Sequence, residues 1–254
     1  MLTILGPAKT IDMSPHEVTG KHTLPAYLTE SRKLLEELRK LSPAALKSLM
    51  KVSDKLAVLN FERIAAWTEQ HPPGSSNQAL LSFSGEVFNG LDARTLGAKD
   101  LDFAQDHVRI LSGLYGVLRP LDLVMPYRLE MQTKLANSRG RNLYEFWKEI
   151  IPQEVSSLTA ATEGKTLVNL ASNEYFSSIQ PKTFPHRIIT PVFKEQYANS
   201  FRNVTIYAKK ARGMMLRLII QNRINDPEHL KAFDLDGYFF NADQSGENEW
   251  WFTR

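Results

Sequence analysis

The chain has 254 residues, 43% of them hydrophobic and 23% charged, with a net charge of +3 and a pI near 9.0. That is the profile of an ordinary globular protein able to bury a sizeable core, and its slight basicity draws nucleic acid only where cations cluster locally. The absence of cysteine excludes a peroxidatic thiol, a disulfide switch, a thiolate-held iron–sulfur cluster and a cysteine zinc site. In chain order, Leu2 to Leu5 reads as a buried first strand that ends at Gly6-Pro7 and delivers Lys9 and Thr10 into a loop. Leu34, Leu35, Leu38 and Leu41 recur at helical spacing and predict an amphipathic helix over Tyr27 to Leu41. Ser42-Pro43 supplies an N-cap and an N1 proline for a second helix carrying Leu46, Leu49 and Met50. Ser53 caps a third helix, with Leu56, Leu59, Ile64 and Trp67 as its apolar face.

After the Pro/Gly/Ser-rich loop His71 to Asn77, the apolar run Ala79 to Phe83 reads as a core strand. Val108 to Leu111 is another strand, and a helix is expected over Leu143 to Ser157 with Tyr144, Trp147 and Ile151 inward. Thr166 to Leu170, Arg187 to Phe193 and Val204 to Ala208 read as further strands. Tyr238 to Phe240 and Trp250 to Phe252 form a terminal hairpin. Strands interleaved with helices, behind a helix-rich segment near the N-terminus, predict an α/β fold with a mixed sheet and flanking helices, as one domain over residues 1–254. The N-terminal MLTILGPAKTID lacks a basic segment followed by a signal-length apolar stretch, and no apolar run reaches spanning length, so a cytoplasmic location is expected.

Four constellations carry chemistry. In LSGLYGVLRPLDLVMPYRLEM (Leu111 to Met131), Pro120 and Pro126 stiffen the backbone that bears Arg119 and Arg128, and a preorganised guanidinium suits phosphate or carboxylate. The competing reading pairs those arginines with Asp122 and Glu130. From Tyr207 to Arg223, Lys209, Lys210, Arg212, Arg217 and Arg223 occur without an acidic residue, on about half of a helix whose other side is Ala211, Met214, Met215 and Leu218. The helices around Met50 to Lys55 are a candidate helix-hairpin-helix, with Lys47, Lys51 and Lys55 positioned for a DNA phosphate. Its turn, however, lacks glycine and carries Asp54, as an ordinary helical hairpin would. In Asn169 to Phe176, Ser172 and Glu174 either cap a helix or sit at a strand's carboxyl end, where open α/β sheets place ligands and Glu174 with Lys9 could act as an acid/base pair. No metal or cofactor is expected: the six histidines lack i,i+4 ligand spacing, the best local trio is Asp12, His16 and Glu17, and neither a Walker P-loop nor a dinucleotide fingerprint occurs.

GPAKTIDMSP (Gly6 to Pro15), SDKLA (Ser53 to Ala57), the Leu111 to Met131 run, NLASNEYF (Asn169 to Phe176) and YAKKARG (Tyr207 to Gly213) together resemble the YaaA peroxide-stress family of bacterial cytosolic proteins, nearly end to end. One position departs: the family usually opens Ser-Pro-Ala-Lys-Thr, and Gly6 stands at the serine. The resemblance implies a protein made under peroxide stress that limits unincorporated iron and the DNA damage it drives, with a basic cleft for DNA. The residues expected to contact phosphate, with little sequence preference, are Lys9, Lys47, Lys51, Lys55, Arg119, Arg128, Lys209, Lys210, Arg212 and Arg217. The alternative is an enzyme of unknown reaction on a phosphorylated or nucleotide-like small molecule, with Lys9 and the arginines holding the anion and Glu174 or Asp122 moving protons. A pocket burying these groups points to the enzyme, and a long open groove points to DNA.

Overall fold

Leu2–Leu5, Val108–Ser112 and Thr166–Asn169 are buried at every position, the mark of strands covered on both faces of a largely parallel sheet. A computed structural model describes residues 1–15, 18–198 and 200–254. Its strands are β1 (Leu2–Leu5), β2 (Thr10–Ile11), β3 (Asn77–Gln78), β4 (Phe83–Ser84), β5 (Val108–Ser112), β6 (Gly116–Leu118), β7 (Leu123–Val124), β8 (Thr166–Asn169), β9 (Arg187–Tyr197), β10 (Ser200–Arg202), β11 (Phe239–Phe240) and β12 (Glu249–Thr253). Its α-helices are α1 (Leu28–Arg39), α2 (Pro43–Met50), α3 (Asp54–Ala66), α4 (Ala79–Ser82), α5 (Glu86–Leu91), α6 (Ala98–His107), α7 (Leu143–Trp147), α8 (Ile150–Ala160), α9 (Asn173–Phe176) and α10 (Thr205–Gln221).

The main sheet has eight strands in the order β11-β12-β9-β8-β1-β5-β6, with β10 folded onto β9. β12, β9, β8, β1 and β5 run parallel; β6, β10 and β11 pair antiparallel. Two short pairs, β2 with β4 and β3 with β7, tie loops together outside it. This is the α/β mixed sheet with flanking helices that the sequence predicts. The helix-rich segment is there too, and its caps are those expected: Ser42 Oγ accepts from Ala45 N at 3.3 Å and Ser53 Oγ from Leu56 N at 3.4 Å. The terminal hairpin is β11 with β12, in the register Phe240↔Phe252.

Four local readings are corrected. Ala79 to Ser82 is the helical turn α4, not a strand; all four residues are buried, and a short apolar run has no periodicity to separate the two states. The helix expected over Leu143 to Ser157 is broken into α7 and α8, because Pro152 has no N–H and its ring clashes with the carbonyl of Lys148. Val204 to Ala208 begins α10 instead of forming a strand, its β-branched residues outweighed by the amphipathic pattern that follows. In α3 the buried stripe is Ala57, Asn60 and Ile64, continued by Trp67, while Leu56 and Leu59 are half-buried. Of the trio Asp12, His16 and Glu17, the last two lie outside the described residues. Among the described residues no helix is long and apolar enough to cross a membrane, and no group of three or more His, Asp or Glu could hold a metal ion.

Candidate functional site

β1 has β5 on one side and β8 on the other, so successive parallel connections leave it in opposite directions, and a crevice opens beyond the carboxyl ends of β1 and β8. It is a cleft of about 690 Å³. Its walls come from four parts of the chain: the loop Gly6–Thr10 after β1, Ser84–Phe88 at the start of α5, Tyr127–Glu130, and Ser172–Tyr175 after β8, closed by Asn203, Thr205, Ala208, Lys209 and Arg212 of α10 and its approach.

Each wall is fixed by a specific contact. Pro7 sets the direction out of β1, and pairing of Thr10 with Ser84 holds Lys9 against the start of α5. Tyr127 is anchored by a 2.7 Å hydrogen bond between its hydroxyl and Ser112 Oγ at the end of β5, which puts Arg128 and Glu130 into the cleft. Tyr144 Oη donates to the Glu174 carbonyl at 2.8 Å and secures the turn after β8. Ser172 occupies the N-cap position of α9, but its hydroxyl makes no capping bond, and the residue lines the cleft. On α10, Lys209 and Arg212 are three residues apart and share one face.

The electrostatics divide the cleft. Glu130 sits between two cations: Lys9 Nζ lies 2.9 Å from Oε2, and Arg128 Nη2 donates to Oε1 at 2.9 Å. Burial alone would raise the Glu130 pKa, but these two partners more than offset it and hold the carboxyl below its ordinary range. Glu174 shifts the other way: burial, then repulsion from Glu130, raises its pKa despite the Gln132 N–H, which donates to Oε1 at 3.2 Å. Two neighbouring carboxylates are thereby pushed apart, the pattern that separates an acid from a base. Opposite them, Arg212 is half-buried and has neither a hydrogen bond nor an ion pair among the described residues, and burial lowers its pKa. Lys209 beside it is exposed and equally without a carboxylate.

The Glu174 shift has a measurable sign. A folded-state pKa above the unfolded value gives stability that is complete below the ordinary carboxylate range and is lost as pH rises through the raised value. Glu174→Gln is therefore expected to raise the melting temperature at pH 7, with the gain shrinking as pH falls to about 4. A gain independent of pH would show that ionised Glu174 carries no such penalty.

Of the residues expected to bind phosphate, the cleft gathers Lys9, Arg128, Lys209 and Arg212, together with Glu174. The others lie elsewhere. Arg119 donates to Asp122 Oδ1 through Nε at 3.1 Å and Nη2 at 2.9 Å, and to the Leu24 carbonyl at 2.9 Å. Asp122 is 1% exposed and also accepts from Thr23 Oγ1 at 2.6 Å and Arg119 N at 2.8 Å, so this pair braces a loop outside the cleft. Arg217 donates to the Leu91 and Asp92 carbonyls at 2.8 and 2.9 Å, capping the carboxyl end of α5. Lys210 lies 3.9 Å from Asp236. Lys47, Lys51 and Lys55 sit on the α2–α3 hairpin, where Lys47 pairs with Asp54 at 2.9 Å and Lys51 takes a left-handed φ of 52° in a turn without glycine. Sequence reasoning missed that Glu130 is shared by Lys9 and Arg128, and that Tyr175 and Glu86 belong to the site; no local spacing signals any of these.

The profile of the family described as Peroxide stress protein YaaA matches residues 1–244 of this chain. The chain belongs to that family. It is 49% identical over 254 residues to UPF0246 proteins of Ralstonia nicotianae (strain ATCC BAA-1114 / GMI1000) and Ralstonia pickettii (strain 12J), covering 100% of this chain and 99% of each relative. Against the YaaA family's usual opening serine, a Cβ at Gly6 would stand 3.0 Å from Tyr175 Cδ2, so a side chain there would press on the tyrosine ring and shift it by a few tenths of an ångström. Tyr175 itself is buried, and its pKa is raised well above the ordinary value by that burial, then by Tyr127, Glu174 and Glu130.

Proposed function

We propose that this chain is a peroxide-stress protein that binds DNA through the cleft, by phosphate contacts and with little sequence preference. Arg212 carries the reading: a guanidinium half-removed from water without a carboxylate is costly unless an anion completes it, and Lys209 one turn away adds a second charge. The cleft is too small to enclose a duplex, so the helix lies across its mouth with a backbone phosphate reaching Arg212. Lys9 and Arg128, balanced by Glu130, shape the wall more than they attract the strand. The α2–α3 hairpin offers Lys51 and Lys55 as further positioning cations. The family's limitation of unincorporated iron is proposed to accompany this DNA contact in the cytoplasm, and cells lacking the protein should show raised unincorporated iron after a peroxide pulse.

Measuring duplex affinity across a salt series tests the reading. If about four phosphates are neutralised, log affinity should fall with log salt at a slope near −3.6. Binding that is absent at low salt, or indifferent to salt, would defeat it.

One observation favours a second reading, an enzyme acting on a phosphorylated or nucleotide-like small molecule. The cleft volume lies within the range of about 300–1,000 Å³ typical of small-ligand sites, and it holds Glu174 and Glu130 with oppositely shifted pKa values. In that case Arg212 and Lys209 hold the phosphate and Glu174 moves the proton. Glu174→Gln separates the two readings: DNA affinity unchanged with peroxide rescue retained supports the binder, whereas rescue lost with DNA affinity intact supports the enzyme.

A further inference from the structure

Beside the cleft, where α10 and the β9–β10 hairpin meet, the protein exposes side chains that a core would normally keep. Tyr197, Ile206 and Tyr207 are 46%, 52% and 44% exposed. Tyr115, Tyr127, Tyr144 and Tyr238 each engage their hydroxyl in a hydrogen bond, whereas the hydroxyls of Tyr197 and Tyr207 have no partner among the described residues. The two exposed rings carry cations instead: the Arg202 guanidinium lies 5.2 Å from the Tyr197 centroid, and that of Arg254 lies 4.8 Å from Tyr207. Register puts Tyr197 and Arg202 on one face of the β9–β10 pair, and Arg254 links that face to Tyr207 on α10. Arg202 pairs with Glu195, Tyr197 follows Glu195 by two residues, and Glu195 binds the same Arg254 that covers Tyr207. The patch continues into the cleft, because Asn203 and Thr205, which flank Val204 and precede Ile206, are part of the cleft wall.

We propose that Tyr197, Ile206 and Tyr207 form a platform on which unpaired bases of a DNA strand stack while the strand's phosphates meet Arg202, Lys209 and Arg212. The proposal rests on the phosphate reading of the cleft and adds to it a preference for unpaired over paired DNA. Charge complementarity selects this occupant. From Gln196 to Asn225 the sequence holds six arginines and lysines and no acidic residue. The carboxylates that do flank the platform, Glu195 and Asp236, are both paired with Arg254 at 3.0 and 2.8 Å, which leaves Arg202, Lys209 and Arg212 without a carboxylate partner among the described residues. Aromatic faces interleaved with arginines are the arrangement that binds single strands without regard to sequence, since every base offers a π-face and every linkage a phosphate. A protein-binding patch would instead be depleted of charge at its centre.

Binding of a fluorescein-labelled oligothymidine and of a duplex of equal length, followed by anisotropy at one salt concentration, tests this. The single strand should bind more tightly than the duplex. In the double variant Tyr197→Ala/Tyr207→Ala, single-strand affinity should fall about tenfold or more while duplex affinity changes less than about twofold, and Tyr197→Phe/Tyr207→Phe should restore single-strand binding. Thermal melting checks that the variants fold, which exposed side chains permit. Unchanged single-strand affinity in the alanine variant, or equal losses for strand and duplex, would overturn the platform. The cleft reading fails separately: Lys209→Glu/Arg212→Glu would then leave duplex and single-strand binding alike intact.

Discussion

Reversing Lys209 and Arg212 together to glutamate is expected to lower duplex DNA affinity by about 60-fold or more at 0.1 M salt. The figure follows from counterion release: each neutralised phosphate contributes about 0.9 to the slope of log affinity against log salt, so two lost contacts cost nearly two decades at that concentration before any repulsion is added. The slope itself should fall from about −3.6 to about −1.8. Lys209 is exposed and Arg212 makes no intramolecular bond among the described residues, so removing them breaks nothing that holds the fold. Glutamate at 212 would be half-buried, and Arg212→Gln, which deletes the charge without reversing it, guards against a loss that comes from misfolding. The same exchange at Arg119 should act differently. Its guanidinium neutralises a carboxylate that is 1% exposed, so Arg119→Gln strands Asp122 and lowers stability with little change in salt slope. If the Lys209 and Arg212 variants bind DNA as the parent does, phosphate does not enter the cleft.

What could be read ahead of the structure was what neighbours in sequence decide. Ser42-Pro43 and Ser53 predict their helix starts because a cap and the N–H groups it satisfies lie within one turn. β1, β5 and β8 are legible because a strand buried on both faces is largely apolar, with Thr3 in β1 and Arg109 in β5 as the internal exceptions. The pairing of Arg119 with Asp122 was visible for the same reason, three residues apart. Readings failed where a residue beyond the local window decided the outcome. Val204 to Ala208 has strand-like residues, yet the apolar face of α10 continues to Ile220 and claims them for a helix. The convergence of Lys9, Arg128 and Glu130 was beyond reach, since Glu130 is equally plausible as the partner of Arg128 alone. Only the crevice beside β1 brings the loop after that strand to the same carboxylate.

The position of Arg212 in the cleft depends on two glycines remote from any ligand. α5 crosses α10 closely enough that a Cβ on Gly213 would stand 1.8 Å from the Val87 carbonyl oxygen, and one on Gly90 would stand 2.1 Å from that of Lys210. Both obstacles are backbone and cannot turn aside, so the helices must separate. Gly213→Ala gains about 1 kcal/mol of helix propensity, but overpacking against backbone costs about 3 kcal/mol, so destabilisation wins. For a chain of this size the net loss should lower the melting temperature by about 4–8 °C. Gly90→Ala should act similarly, because the two glycines relieve one crossing. Once either methyl group has pushed the helices apart, the second enters a gap already opened, so the double variant should lose well short of the sum. Separation also carries Lys209 and Arg212 away from Glu86 and Val87 on the opposite wall, and DNA affinity should fall with stability in both single variants. Melting curves of the four proteins settle the coupling. Fully additive losses would mean that the glycines serve independent contacts, and no loss at all would mean that the helices do not approach this closely.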